Sequence, residues 1–169
     1  VQNYFDFFGL PVSPSVDRAQ LKRTFLANSK RFHPDFHTLS DEATQEDALE
    51  QSTTNNRGYK VLNNEDQRLK HFLDVHGALG EEGTNTVPQD FLMEIMEVNE
   101  ALMELEFDDD PMARLKVEGL IAQLEKDLQG EVAPVLAAYD PEQPDESSIN
   151  ALRDYYLKQR YLMRLRQKI

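Results

Sequence analysis

The stretch "LKRTFLANSKRFHPDFH", residues 21–37, decides how the first half of the chain folds. Leu21, Phe25 and Phe32 recur at helical spacing, with Arg18, Lys22, Arg23, Lys30 and Arg31 elsewhere on the same segment. The spacing predicts a helix over 18–32, opened by an Asp17 cap. Pro34 stops it, because proline disfavours the α conformation in the residue before it. The helix gives way to a loop, 33–40, carrying His33, Asp35 and His37 around a rigid proline.

That loop admits several chemistries. His33 and Asp35 could act as a proton-transfer dyad, but no nucleophile accompanies them and an exposed loop is a poor place to exclude water. His33, Asp35 and His37 could supply three metal ligands, although nothing in the sequence orients the imidazoles. Pro-Asp after a helix is also an ordinary terminator. The basic residues alongside favour a fourth reading. Arg31 and His33 sit at the helix C-terminus, where cations suit the dipole. A basic patch beside an ordered loop in an acidic protein suits docking to an acidic partner.

Outward from the loop, "SDEATQEDALEQSTTNNRGYKVLNN" reads as a helix over 41–63, capped by Ser40 or Asp41. Ala48, Ser52, Asn55 or Asn56, Tyr59 and Leu62 supply its apolar period, while Thr53, Thr54 and Gly58 weaken its propensity. Residues 3–9 form a brief helix or turn closed by Gly9, and 65–76 a further helix bearing Leu69, Phe72, Leu73 and Val75 and ended by Gly77. "GALGEEGTNTVP" marks a linker, with Pro88 opening the next helix. Helices are then expected over 88–106, 110–139 and 146–168, the second kinked or broken at Gly130 and Pro134. The expected architecture is all-α, with an N-terminal domain 1–76 (an antiparallel helical hairpin with short flanking helices), a linker 77–87, and a C-terminal three-helix domain 88–169.

The composition narrows the function classes. The chain carries 169 residues and a net charge of −13, which argues against general nucleic-acid binding. It has no cysteine, so disulfides, thiolate metal sites and a cysteine nucleophile are excluded. No phosphate-cradling glycine loop is present, and no run approaches the roughly 18 apolar residues of a membrane span. Charge is unevenly placed: residues 81–110 hold eleven acidic and no basic residues, and residues 150–169 hold six basic and one acidic. Such reversals suit two surfaces with different partners.

The acidic stretch contains "FLMEIMEVNEALMELEF", residues 91–107. Phe91, Ile95, Val98, Leu102 and Leu105 form one apolar stripe, sufficient to seat a helix in a bundle. Leu92, Met93, Met96 and Met103 form a second, interleaved with Glu97, Glu100 and Glu104. Methionines beside carboxylates suit a binding surface, and packing in a broad core is the alternative.

The order of "YFDFFGL", a basic helix, "HPD" and a long helix ending "GYKVLNNEDQR" resembles a J-domain over about residues 3–76. "PQDFLMEIMEVNEALMEL" and the closing "LKQRYLMRL" resemble the C-terminal domain of the HscB (Hsc20) family, J-type co-chaperones of iron–sulfur cluster assembly. The resemblance implies that His33, Pro34 and Asp35, with Arg18, Lys22, Arg23, Lys30 and Arg31, contact a DnaK-like (HscA-type) chaperone and stimulate its ATPase. It implies that Leu92, Met93, Met96, Glu97, Glu100, Glu104 and Tyr161 bind the scaffold protein IscU. It implies no enzyme activity, no cofactor, no metal, and neither nucleic acid nor membrane as partner. Leu26 and Ala27 stand where many J-domains carry further basic residues, and the zinc-binding cysteine module of some relatives is absent. The expected place is a bacterial cytoplasm, or the mitochondrial matrix in a eukaryote.

Overall fold

A computed structural model describes residues 2–81 and 83–169, so Val1, in the expected first domain, and Glu82, in the expected linker, lie outside the described residues. All regular structure among them is helical: α1 (Tyr4–Phe7), α2 (Arg18–Arg31), a 3-10 turn (Pro34–Phe36), α3 (Glu42–Leu62), α4 (Glu65–Val75), α5 (Gln89–Glu94), α6 (Met96–Phe107), α7 (Pro111–Ala138) and α8 (Glu146–Arg166). None of these helices is long and apolar enough to cross a membrane. The chain divides into two compact units, Val1–His76 with Asp140–Gln143, and Gly77–Tyr139 with Pro144–Ile169.

Side-chain caps set the helix starts. Asp17 accepts from the N–H groups of Ala19 and Gln20, Asp41 from Thr44, Asn64 from Gln67, Asp110 from Met112 and Asp145 from Ser148. Each satisfies a donor that the first helical turn cannot. Gly77 follows α4 at a φ of +64°, a left-handed conformation that glycine adopts without penalty.

In the first unit, α2 and α3 pack antiparallel. Arg18 meets Asn63, Phe25 stacks on Tyr59 at 4.1 Å, and Asn28 meets Asn55, so the numbering falls on one helix as it rises on the other. Asn55 rather than Asn56 takes the core position. It is fully buried, accepts from Asn28 Nδ2, and donates to the Phe25 carbonyl and to Ser29 Oγ. Phe5, Phe8 and Leu10 join Leu21, Leu62, Leu69, Phe72 and Leu73 in the core. Gly58 explains its own presence mid-helix. A Cβ there would lie 2.8 Å from ring atoms of Phe8 and Tyr4, so α1 rests directly on the α3 backbone.

Two polar residues of α4 are buried against the apolar pattern. Arg68 donates through Nε to the Pro14 carbonyl at 2.7 Å and through Nη1 to the Leu62 carbonyl at 2.8 Å. His71 accepts the Tyr4 N–H on Nε2 at 3.0 Å and stacks on Phe5. Burial holds its imidazole below the usual 6.5, with Asp74 opposing and Lys70 reinforcing. Burial also lowers His76.

The second unit departs from expectation in three places. Residues 88–106 do not form one helix: Ile95, at φ −88° and ψ 0°, interrupts it between α5 and α6. Ile95 is β-branched and fully buried, and its seating in the core outweighs helical continuity. Pro88 caps α5 from outside rather than occupying its first turn. No break occurs at Gly130 or Pro134, for α7 runs unbroken to Ala138. The Gly130 carbonyl, which loses its donor to Pro134, sits on an exposed residue where water can replace the bond. The core joins Phe91, Ile95, Val98, Ala101, Leu102 and Leu105 to Val117, Ile121 and Leu128 of α7 and Leu162 and Leu165 of α8. Arg166 pairs with Glu125 between α8 and α7.

Gly58→Ala tests the α1 contact. The helix-propensity gain of about 1 kcal/mol is outweighed by overpacking of about 1–3 kcal/mol, so denaturant unfolding should show a net loss. A second test uses pH. His71 and His76 bind protons more weakly folded than unfolded, so their stabilising contribution is complete above 6.5 and is lost as pH falls below it. The unfolding midpoint of the first unit should fall between pH 7.5 and 5, with a shallower fall in His71→Gln, which keeps an acceptor and carries no charge.

Candidate docking surfaces

Helix α2 ends where the sequence expects. Phe32 closes it by donating to the Asn28 carbonyl, and the Arg31 guanidinium lies 5.2 Å from the Phe32 ring centre. His33 is extended (φ −63°, ψ 134°), as its place before proline requires. Pro34 then starts the 3-10 turn, and the N–H of Asp35 donates back to His33 Nδ1 at 3.2 Å. The His33 and Asp35 side chains remain 53 % and 85 % exposed, with Nδ1 and Oδ2 3.6 Å apart. Both are presented to solvent by a short, fixed piece of backbone.

His37 turns inward instead: its Nε2 donates to the Arg31 carbonyl at 3.0 Å, fastening the loop to the end of α2. Among the described residues, no group of three His, Cys, Asp or Glu side chains is placed to hold a metal ion, and His33, Asp35 and His37 are no exception. Gln45, one turn into α3, donates through Nε2 toward the carbonyls of His37, Thr38 and Ser40 at 3.0–3.2 Å. Sequence reasoning missed it. A lone glutamine in a helix gives no signal; only the fold shows that three carbonyls converge on it. Asp41, which caps α3 beside this loop, has its carboxyl held below the usual value by Thr44.

The cations of α2 do not form a single cluster. Lys30 and Arg31 adjoin the loop, and Arg23 lies two turns back from Lys30 on the same outward line. Lys22 is exposed at the edge of the packed face. Arg18 is about 20 Å from the loop end of the helix, from 13 residues at 1.5 Å each. Its guanidinium donates to the Asn63 carbonyl at 3.0 Å and to Asn63 Oδ1 at 3.2 Å, tying α2 to the end of α3.

In the second unit the two stripes of residues 91–107 separate cleanly. Phe91, Ile95, Val98, Leu102 and Leu105 are buried, whereas Leu92, Met93, Met96 and Met103 are exposed, as are Glu97, Glu100 and Glu104. Tyr161 of α8 meets Phe91 edge-on at 6.1 Å, with Arg164 5.7 Å from its own ring centre. It is half-buried, and the α5 residues Leu92 and Met93 follow its ring partner directly in sequence.

Comparison with known proteins places the chain in a family. The family described as the HSCB C-terminal oligomerisation domain matches residues 87–169. The co-chaperone protein HscB homolog of Chromobacterium violaceum is 32 % identical over 131 residues, covering 76 % of this chain and 75 % of that protein. The homolog of Vibrio atlanticus is 30 % identical over 170 residues, covering 99 % and 94 %. The chain belongs to the HscB co-chaperone family. The solved chaperone HscB from Vibrio cholerae superposes with a TM-score of 0.64 at 26 % identity, covering 98 % of this chain and 94 % of that one. Human co-chaperone HscB shares the fold, with a TM-score of 0.71 over 99 % of this chain and 80 % of its own, at 24 % identity. The HscB fold of a J-domain followed by a C-terminal helical domain is the fold found here.

Gln45→Ala tests the loop clamp of this HscB-family chain. The amides of His37 and Ser40, which close turns inside the clamped segment, should exchange about 5–30-fold faster, the equivalent of about 1–2 kcal/mol of local opening. Amides in the middle of α3 should keep their protection.

Proposed function

We propose that the chain is an adaptor in iron–sulfur protein maturation, bringing an IscU-type scaffold to an HscA-type, DnaK-like chaperone. The observation that carries the reading is the pairing, in one HscB-family chain, of an exposed His33-Pro34-Asp35 loop with an acidic methionine face on α5 and α6. Pro34 and the Gln45 clamp fix the loop before it docks. His33 and Asp35 enter the chaperone's surface, and Lys22, Arg23, Lys30 and Arg31 steer the approach. Arg18 serves the hairpin through Asn63 in this reading, rather than the partner.

On the other surface, Leu92, Met93 and Met96 supply apolar contact at about 25 cal/mol per Å² buried. Glu97, Glu100 and Glu104 select a basic partner and set its register. Tyr161 borders the face from α8. Holding both partners raises the effective concentration of scaffold at the chaperone. ATP binding and hydrolysis belong to the chaperone, and this chain changes their rate by contact alone.

The test is the steady-state ATPase of the cognate chaperone with this protein, with the scaffold, and with both, which should be synergistic. His33→Gln should reduce stimulation about tenfold or more while leaving scaffold affinity within about twofold, since the substitution is exposed and remote in sequence from α5 and α6. Met93→Ala with Met96→Ala should raise the scaffold Kd by about ten- to a hundredfold, at about 1 kcal/mol or more for each anchor. Stimulation of the chaperone without any scaffold binding would point to a J-domain protein serving another client.

A further inference from the structure

The outward face of α6 continues past the positions assigned to the scaffold. Met96, Glu100, Met103 and Phe107 succeed one another at intervals of four, three and four residues, one line along the helix. Met96 is 56 % exposed, Met103 60 % and Phe107 91 %. From Met96 to Phe107 the line is about 16 Å long. A phenylalanine exposed at a helix end is unremarkable alone, because isolated surface apolar residues are common. Three large apolar side chains in register form a strip, which calls for an occupant.

Charge says which occupant. Glu97, Glu100, Glu104, Glu106 and Asp108 flank the strip, and neither α5 nor α6 contains a lysine or arginine. A symmetric pairing of two copies through this face would set those carboxylates against their own counterparts, which like-charge repulsion opposes. A surface with an apolar side chain ringed by lysines or arginines is complementary to it.

We propose that Met103 and Phe107 form a second anchor for the scaffold, extending its contact by about one turn past Glu104 to the C-terminal end of α6. The inference rests on the reading that the α5–α6 face binds the scaffold, and adds two residues that the family resemblance does not supply. Phe107 receives the apolar side chain, Met103 packs beside it, and Glu104, Glu106 and Asp108 face the surrounding cations. An aromatic at such a position carries more of the affinity than its neighbours, provided the docked partner excludes water from it.

Calorimetric titration of purified cognate scaffold into the 169-residue chain tests the assignment. Phe107→Ala should raise Kd about tenfold and Met103→Ala about threefold, as truncated anchors do. Thermal unfolding of both variants should match the parent, because both side chains are exposed. The loss in Phe107→Ala should persist at high salt, whereas that in Glu104→Gln should shrink. If both apolar variants bind within about twofold of the parent while Met93→Ala with Met96→Ala does not bind, the apolar contact ends at Met96 and the inference is wrong, with the function intact. If the parent chain does not bind scaffold, both fail together. If sedimentation shows that Phe107→Ala changes the mass of the chain alone without changing scaffold affinity, the strip serves self-association and the inference is overturned.

Discussion

The first unit depends on one buried amide. Asn55 sits with no solvent access in the seam between α2 and α3, and its three hydrogen bonds all run to α2. An apolar residue there could slide along the seam. An amide cannot, because any shift strands its donors and acceptor in a dry interior, at about 1–3 kcal/mol for each group left unpaired. The register it imposes aligns Phe25 with Tyr59 and Arg18 with Asn63, and so decides where α2 stops relative to α3. That offset brings Gln45 under the loop. The loop of His33, Pro34 and Asp35 is therefore displayed at a position chosen by a side chain about twenty residues away in sequence.

The second unit solves a different problem. Residues 91–107 carry apolar side chains on more than one face, and a small bundle can bury only one. Phe91, Ile95, Val98, Leu102 and Leu105 go inward, where fixed rotamers pack well. The methionines remain outside, where flexibility is useful and interior precision is not required. In the proposed reading, the uniform negative charge beside them opposes pairing of this surface with itself and suits a cationic partner.

Much of this was readable from residue order. The caps at Asp17 and Asp41, the stop at Pro34, the inward stripe from Phe91 to Leu105 and the exposed methionines all arise from local chemistry and a helical period. The features that were not readable depend on atoms distant in sequence. Arg68 and His71 look like surface residues until Pro14, Leu62 and Tyr4 supply partners. Arg18 looks like one more cation of the basic helix until Asn63 engages it. The interruption at Ile95 has no proline or glycine to announce it, and Pro134 announces a break that burial of Val132 and solvation of Gly130 make unnecessary. The candidate docking residues, which lie mostly at the surface, stand out in the sequence; the residues that hold them in place do not.

Gln45 has a kinetic consequence. A loop free to wander presents its docking conformation during only a fraction of encounters, and the association rate falls by that fraction. Three carbonyls held by one amide, with His37 fastened to Arg31, leave few alternatives to the 3-10 turn. In the proposed reading, most encounters then meet the loop in one shape, so a transient visitor is recognised within a brief contact and released again without a refolding step.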